Sequence, residues 1–293
     1  MPKRINDLLE VTSLASSDLL VAQTSQGTKK IQFGNLMPVN SHNAIFRGKN
    51  LGTVNIDNID AFMTAHGVSA GTFTDLYLGD YVTASYNGSN ITFRVAGFDT
   101  HLRQGDTGSG ITRHHIEIVP DQSLATAKMN STNTTGKSAN PENTSNLAAY
   151  AGSDMHNLVI PTINTNLEAI FGGHLFSYRE LLTNTMDPNG TSAGSTLKGV
   201  SSNRAWYDVK AVLMSEVEVY GSNIWSSSAY DAGTAIHQIP LFSIEPRFIN
   251  LRYSYWLRDV TSSAHFCGSY LYGNASYLNA ASGRSVRPRF LLG

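Results

Sequence analysis

Residues 253–293 read YSYWLRDVTSSAHFCGSYLYGNASYLNAASGRSVRPRFLLG. Three parts separate within this ending. Tyr255-Trp256-Leu257-Arg258-Asp259 is aromatic, then ionic. Residues 264–285 are a run of Ser, Gly, Asn, Ala and Tyr, and Val286-Arg287-Pro288-Arg289-Phe290-Leu291-Leu292 returns to an apolar, strand-like close. Trp256 and Phe290 are large apolar residues on either side of a polar insert, which marks both as core anchors. Arg258, Asp259 and Arg287 stand beside them. A guanidinium next to a buried aromatic needs a carboxylate or carbonyl partner, because its five donors cannot be left dry. The insert 264–285 has another chemistry. It holds His265, Tyr270, Tyr272, Asn274, Tyr277 and Asn279 among serines and glycines, the composition that binding loops use. Two readings stay open for it: a displayed binding surface, or a Tyr-rich meander whose rings cover a sheet.

Length and charge narrow the classes. A chain of 293 residues suits one large domain or two ordinary ones. The formal net charge of −1, with 15% charged residues, leaves no electrostatic footprint for nucleic acid or an anionic membrane. Cys267 is the single cysteine, so no internal disulfide and no multi-cysteine metal site can form. Its Ala-His-Phe-Cys-Gly setting predicts a small buried residue. The start MPKRINDLL lacks an apolar signal region, and no run reaches transmembrane length. A chain made in a cytoplasm, soluble or assembling there, is the expectation.

Residues 1–37 read as a separate module. Ile5, Leu8 and Leu9 have helical spacing, Leu19–Ala22 is a short apolar strand, Gly27–Lys30 a turn, and Ile31–Phe33 a second strand. Forty residues bury too little for an independent core, so docking to another body is implied. An N-terminal hairpin of the main domain is the alternative. Residues 38–41 read as a linker, and 42–293 as one large α+β domain. Within it, Ile56, Ile59, Phe62 and Met63 predict a short helix capped by Asn55 or Asp57 and stopped by Gly67. Leu76–Leu78 and Tyr81–Thr83 read as strands, and Asn87-Gly88 is a hairpin signal. Ile91–Phe98 is an alternating strand, and His114–Val119 another. Residues 129–150 read as a long surface loop or wrapped arm. Pro161 opens a helix with Ile163, Leu167, Ile170 and Phe171 on one stripe. Asp187–Asn203 is loop, Val209, Val212, Leu213 and Glu216 fall at helical spacing, and Ile239–Ile244 reads as an edge strand broken by Pro240.

Chemistry-bearing groups are sparse. His115 and Glu117 share a strand face and could meet His101, His156 or Asp106 at a metal, but no ligand spacing supports this, so the histidines are read as structural. No metal and no cofactor is expected. Glu216/Glu218 and Asp99/Asp106 are the nearest approach to a glycosidase pair, and acids at a helix end more often form a solvated face.

The ending YWLRDV…VRPRF resembles the close of a family of phage virion proteins. HNAIFRGKNLG (His42–Gly52), GTFTDLYLGDYVT (Gly71–Thr83), FRVAGFDTHLRQGDT (Phe93–Thr107), HHIEIVPD (His114–Asp121) and FGGHLFSYRELLTN (Phe171–Asn184) resemble the same family, so the likeness spans nearly the whole chain. The C-terminal part is also similar to C-type-lectin-like phage tropism proteins, which display an aromatic patch on a rigid scaffold. The resemblance implies a tail-fibre, head-fibre or baseplate protein that attaches through residues 1–37 to other virion proteins. It also implies recognition of a bacterial surface glycan or protein through the insert, assembly as a homo-oligomer, a trimer by analogy with fibres and baseplates, and location in the virion. N- and C-terminal strands of the lectin-like part would pair with each other. The alternatives are a purely structural head-fibre, collar or decoration subunit and, behind it, a surface-glycan depolymerase.

Overall fold

The computed structural model describes residues 19–24, 27–32, 39–108, 110–185, 204–226 and 237–293. In chain order the strands are β1 (Leu19–Thr24), β2 (Gly27–Gln32), β3 (Asn50–Thr53), β4 (Tyr81–Tyr86), β5 (Ser89–Phe98), β6 (Ile116–Pro120), β7 (Ala125–Ala127), β8 (Tyr178–Thr183), β9 (Arg204–Val209), β10 (Ala211–Leu213), β11 (Tyr255–Ser262), β12 (His265–Ser269), β13 (Ala275–Asn279), β14 (Arg284–Val286) and β15 (Pro288–Leu292). The α-helices are α1 (Ile59–Ala65), α2 (Ile160–Phe171), α3 (Glu216–Tyr220) and α4 (Pro240–Ile244). The fold is therefore mixed α and β, and mostly sheet.

Two sheets frame the domain. One runs β10-β15-β6-β5-β4-β3, the other β13-β12-β11-β14-β7. The β4–β5 hairpin turns on Asn87 and Gly88, both at positive φ (49° and 78°), as a two-residue turn of the hand that suits twisted strands requires. Along β5, Ile91, Phe93 and Val95 enter the core, while Arg94 points the other way and pairs with both Asp121 carboxylate oxygens through Nε and Nη2. Helix α2 begins with Pro161 in its first turn and ends at Gly172, φ 52°. It buries Ile160, Ile163, Leu167, Ile170 and Phe171. The rings of Phe93, Phe171 and Phe290 pack with centroids 5.2, 5.5 and 5.9 Å apart, which joins β5, α2 and β15. Trp256 is fully buried and donates its indole N–H to Ala127 O at 2.9 Å. Both expected anchors thus sit in the core, as does Cys267.

Several expectations are corrected. The C-terminal strand β15 closes the core between β10 and β6, and it does not pair with β3, the first strand after residue 42. Val209, Val212 and Leu213 belong to strands β9 and β10, because Val209 pairs with Tyr178 on β8 and Leu213 with Pro288 on β15. Pro240 opens helix α4 rather than interrupting a strand. Leu76–Leu78 makes only an isolated bridge, Leu78 to Phe46. Ile56 precedes α1 and is exposed, although Asn55 does organise that start by accepting the N–H groups of Asp57 and Asn58. Gly27–Lys30 lies in strand β2, paired with Thr24–Val21, not in the turn. Residues 39–41 of the expected linker lie in a 3-10 helix, Val39–Ala44. The expected helical spacing at Ile5–Leu9 and the loop 187–203 lie outside the described residues.

Residues 129–150 are a wrapped arm with a partly buried polar interior. Asp154 accepts from Ser131 N–H at 2.7 Å, from Asn143 Nδ2 at 3.1 Å and from the Ser138 hydroxyl. Met129 and Asn130 donate to Ala280 O, and Thr135 donates to Ser263 O and Ser262 O. The arm is thus tied at two places, by side chains to Asp154 and mainly by backbone bonds to the hairpin that follows β11.

Candidate recognition surface

The insert 264–285 is a hairpin, β12–β13, returning through β14. Its inward face is core: Phe266, Gly268 and Leu278 are buried, with Phe266 opposite Leu278. Its outward face carries His265, Tyr277 and Asn279, brought together by the pairings His265↔Asn279 and Cys267↔Tyr277. The hairpin tip holds Tyr270, Tyr272 and Asn274, closed by Tyr270 N–H to Asn274 O at 2.8 Å. Tyr272 is 74% exposed and Tyr277 51%, so neither ring covers the sheet. Asn274 and Asn279 each spend a group locally, on Ala275 O and on Ala281 N–H.

Trp225 completes this surface, and the sequence reading did not find it. It is 45% exposed, lies edge-to-face against Tyr277 at 5.0 Å between centroids, and donates its indole N–H to Ala275 O at 3.1 Å. On the other side of Tyr277, His265 makes a second edge contact at 5.3 Å. Tyr277 is therefore held between an indole and an imidazole. Tyr270 and Tyr272 form a second edge pair at 6.0 Å. Exposed Ile224 adjoins Trp225 in the chain. An unmatched Trp in the Ser-rich run 222–228 was the available signal.

A rigid frame positions these rings. Strand β11 is irregular: Trp256 pairs with Gly268 and Val260 with Phe266, so three residues face the single Cys267. Such a bulge re-aims side chains, and here both Arg258 and Asp259 are buried. Arg258 donates to Glu218 at 2.8 Å, Leu213 O at 2.9 Å and Glu180 at 3.1 Å. Arg289 meets Glu218 at 2.6 Å, Glu180 at 2.9 Å and the Tyr178 hydroxyl. Burial pushes the Glu218 carboxyl up, but the charges of Arg258 and Arg289 outweigh this and hold it at about 2. Ser215 and Glu218 form a reciprocal cap on α3. Asp259 accepts the N–H of Glu216. The Glu216 carboxylate in turn accepts the N–H groups of Ile224, Trp225 and Ser226 at 2.9 Å each. A continuous chain of bonds thus runs from the Arg258-Asp259 motif to Trp225. Arg287 binds Pro120 O and Phe248 O, as its setting predicted.

The same bonds correct the reading of Glu216 and Glu218 as a solvated face: both are buried and bonded. Asp99 holds His114 and the His115 N–H, and Asp106 holds Arg179. Each acid weighed as a glycosidase group is engaged structurally. A cleft of about 600 Å³ lies elsewhere, lined by Phe46, Arg47, Tyr81, Arg94, Arg247 and Phe248 among others. Arg47 and Arg94 there are neutralised by Asp75, Asp80 and Asp121 and stack on aromatic faces, which makes this cleft a packed joint more than a ligand site. No helix among the described residues is long and apolar enough to cross a membrane. Comparison with known protein families, characterised proteins and solved structures gave no match.

Proposed function

We propose that this chain is a phage virion protein that recognises the surface of a bacterial host through the aromatic face of the β12–β13 hairpin. The observation that supports this most is the exposed Trp225–Tyr277–His265 stack, continued by Tyr270 and Tyr272 and held on a buried ionic frame. Indole and phenol rings offer flat apolar faces to sugar rings at low entropic cost, and Asn274, Asn279 and neighbouring serines offer hydrogen bonds to hydroxyls. The C-terminal part acts as a C-type-lectin-like display scaffold. Residues 1–37 dock to other virion proteins, and single weak sites gain strength through copy number in a homo-oligomer such as a trimer.

Binding of the full chain to intact cells of candidate hosts tests this, beside a Trp225→Ala/Tyr277→Ala double variant. Both side chains are exposed, so the variant keeps its fold, and truncating two central aromatic contacts weakens binding about tenfold or more. Equal binding by both proteins moves the site off this face. Absence of binding by the assembled wild-type chain leaves the structural head-fibre, collar or decoration subunit as the better account.

A further inference from the structure

Beneath the frame, three side chains converge from separate elements. His101 follows β5, Glu117 lies on β6, and His237 precedes α4. One ligand atom from each lies within 4.8 Å of the others. Three of their polar atoms have no hydrogen-bond partner although they are buried: both Glu117 carboxylate oxygens and His237 Nε2. Glu117 is 0% exposed and His101 2%. An unpartnered buried carboxylate is costly, and native structures give such groups a partner.

The surrounding groups engage it only weakly. Three carboxylates, Glu117, Glu180 and Glu218, face two guanidinium groups, Arg258 and Arg289, which leaves one negative charge in surplus. That surplus falls on Glu117. Glu180 and Glu218 approach guanidinium nitrogens at 2.6–3.1 Å, whereas Glu117 has only Arg289 Nε at 3.4 Å and a side-chain contact from Thr100. A second grouping, His101 with Glu180 and Glu218, is already saturated by the arginines.

We infer that His101, Glu117 and His237 form a binding site for a divalent transition-metal ion, Zn²⁺ by preference. Two imidazoles and one carboxylate are a zinc donor set, and hard cations such as Mg²⁺ and Ca²⁺ favour all-oxygen sites. His101 Nδ1 is within 2.9 Å of the Thr100 hydroxyl, the outer partner that orients a ligating imidazole and leaves Nε2 as its donor. Zinc bonds of about 2.0–2.1 Å require the three donors to close in by about an ångström. The segment bearing His237 is already pinned to α3: Gln238 Nε2 donates to Val219 O and Ile239 N–H to Glu218 O, each at 2.9 Å. The ion clamps this segment and the turn after β5 onto β6. Its role is to tie these three elements together, with the fourth coordination position left to water.

The test uses the full chain, stripped of metal by a chelator and titrated with ZnCl₂ by calorimetry, with metal content measured after gel filtration. One ion per chain is expected, with a rise in Tm of about 5 °C at a hundredfold excess over Kd. His237→Gln and Glu117→Gln each abolish both effects, and His66→Gln, outside the cluster, leaves them intact. If E117Q fails to fold, H237Q decides alone, since His237 sits at the half-buried edge of the cluster. Failure of the folded wild-type chain to take up zinc, or uptake that survives H237Q, overturns the site and leaves a protonated Glu117 as the way the surplus charge is met.

Discussion

Arg258 Nη1 lies 2.8 Å from Glu218 Oε2, and neither residue is more than 2% exposed. A pair this deeply buried contributes little net stability against an apolar replacement, yet removing one partner strands the other's charge. Arg258→Met therefore destabilises the chain by about 3–5 kcal/mol. Arg258→Lys is a poor rescue, because a single ammonium cannot bridge Glu218, Glu180 and Leu213 O from one planar fork. Urea unfolding of both variants checks this; near-wild-type stability of R258K would show that charge alone suffices.

Glu216→Ala removes the carboxylate that gathers three backbone N–H groups. Hydrogen bonds to a charged group are worth about 1.5–3 kcal/mol apiece before solvent replaces them. The 224–226 strap opens to water in this variant, so the net loss is about 2–3 kcal/mol. Trp225 emission shifts to the red with it. The measurement compares fluorescence in wild type and in a Trp225→Phe background, where that shift is absent.

Gly268→Ala is expected to fail where Gly283→Ala succeeds. A Cβ at 268 would stand 2.2 Å from Leu278 Cδ1 and 2.9 Å from the Tyr255 carbonyl oxygen, whereas at 283 the nearest atom is Thr126 Cγ2 at 3.8 Å. Overpacking against backbone costs about 1–3 kcal/mol. Thermal unfolding should lower Tm for G268A by several degrees and leave G283A within a degree or two.

His156 gives the pH dependence. Its ring packs against Tyr150 and Tyr207, its Nδ1 is buried without a partner, and burial lowers its pKa from 6.5 to about 4. The unfolded chain thus takes up a proton before the folded one. Stability is unaffected above pH 6.5 and falls as pH drops from 6.5 towards 4. This residue accounts for about 2 kcal/mol of that fall, allowing for a part-exposed ring edge. The difference between wild type and His156→Phe, followed by urea unfolding at pH 7 and pH 5, isolates it; parallel curves would disprove the assignment.

The sequence showed the parts whose signals are local. Asn87-Gly88 named its own turn, Pro161 and the 163–167–170 stripe named α2, and the Trp256/Phe290 bracket located the core. It misled where partners are distant. Val209, Val212 and Leu213 have a helical spacing by coincidence, and only pairing with β8 and β15 decides that they are strands. Pro240 suits both an edge strand and a first helical turn, and the sequence pattern does not separate them. Glu216 and Glu218 looked solvated because their partners, Arg258, Arg289 and the amides of 224–226, come from other elements. Of the surface, the hairpin tyrosines were legible and Trp225 was not, since its neighbour Tyr277 lies 52 residues away in the chain.

Glu216 grips the strap through main-chain amides alone, and this has a bearing on how the surface can evolve. Glu216 recognises no side chain at positions 224, 225 or 226, so its three bonds survive an exchange there, and only the indole bond to Ala275 O is lost with Trp225. Proline is the exception, because it has no N–H to offer. The alternation on β13 adds to this freedom: Tyr277 and Asn279 can vary while Leu278 stays. The protein thus separates the residues that hold its shape from those that meet the outside, and the exposed face can change without a new fold.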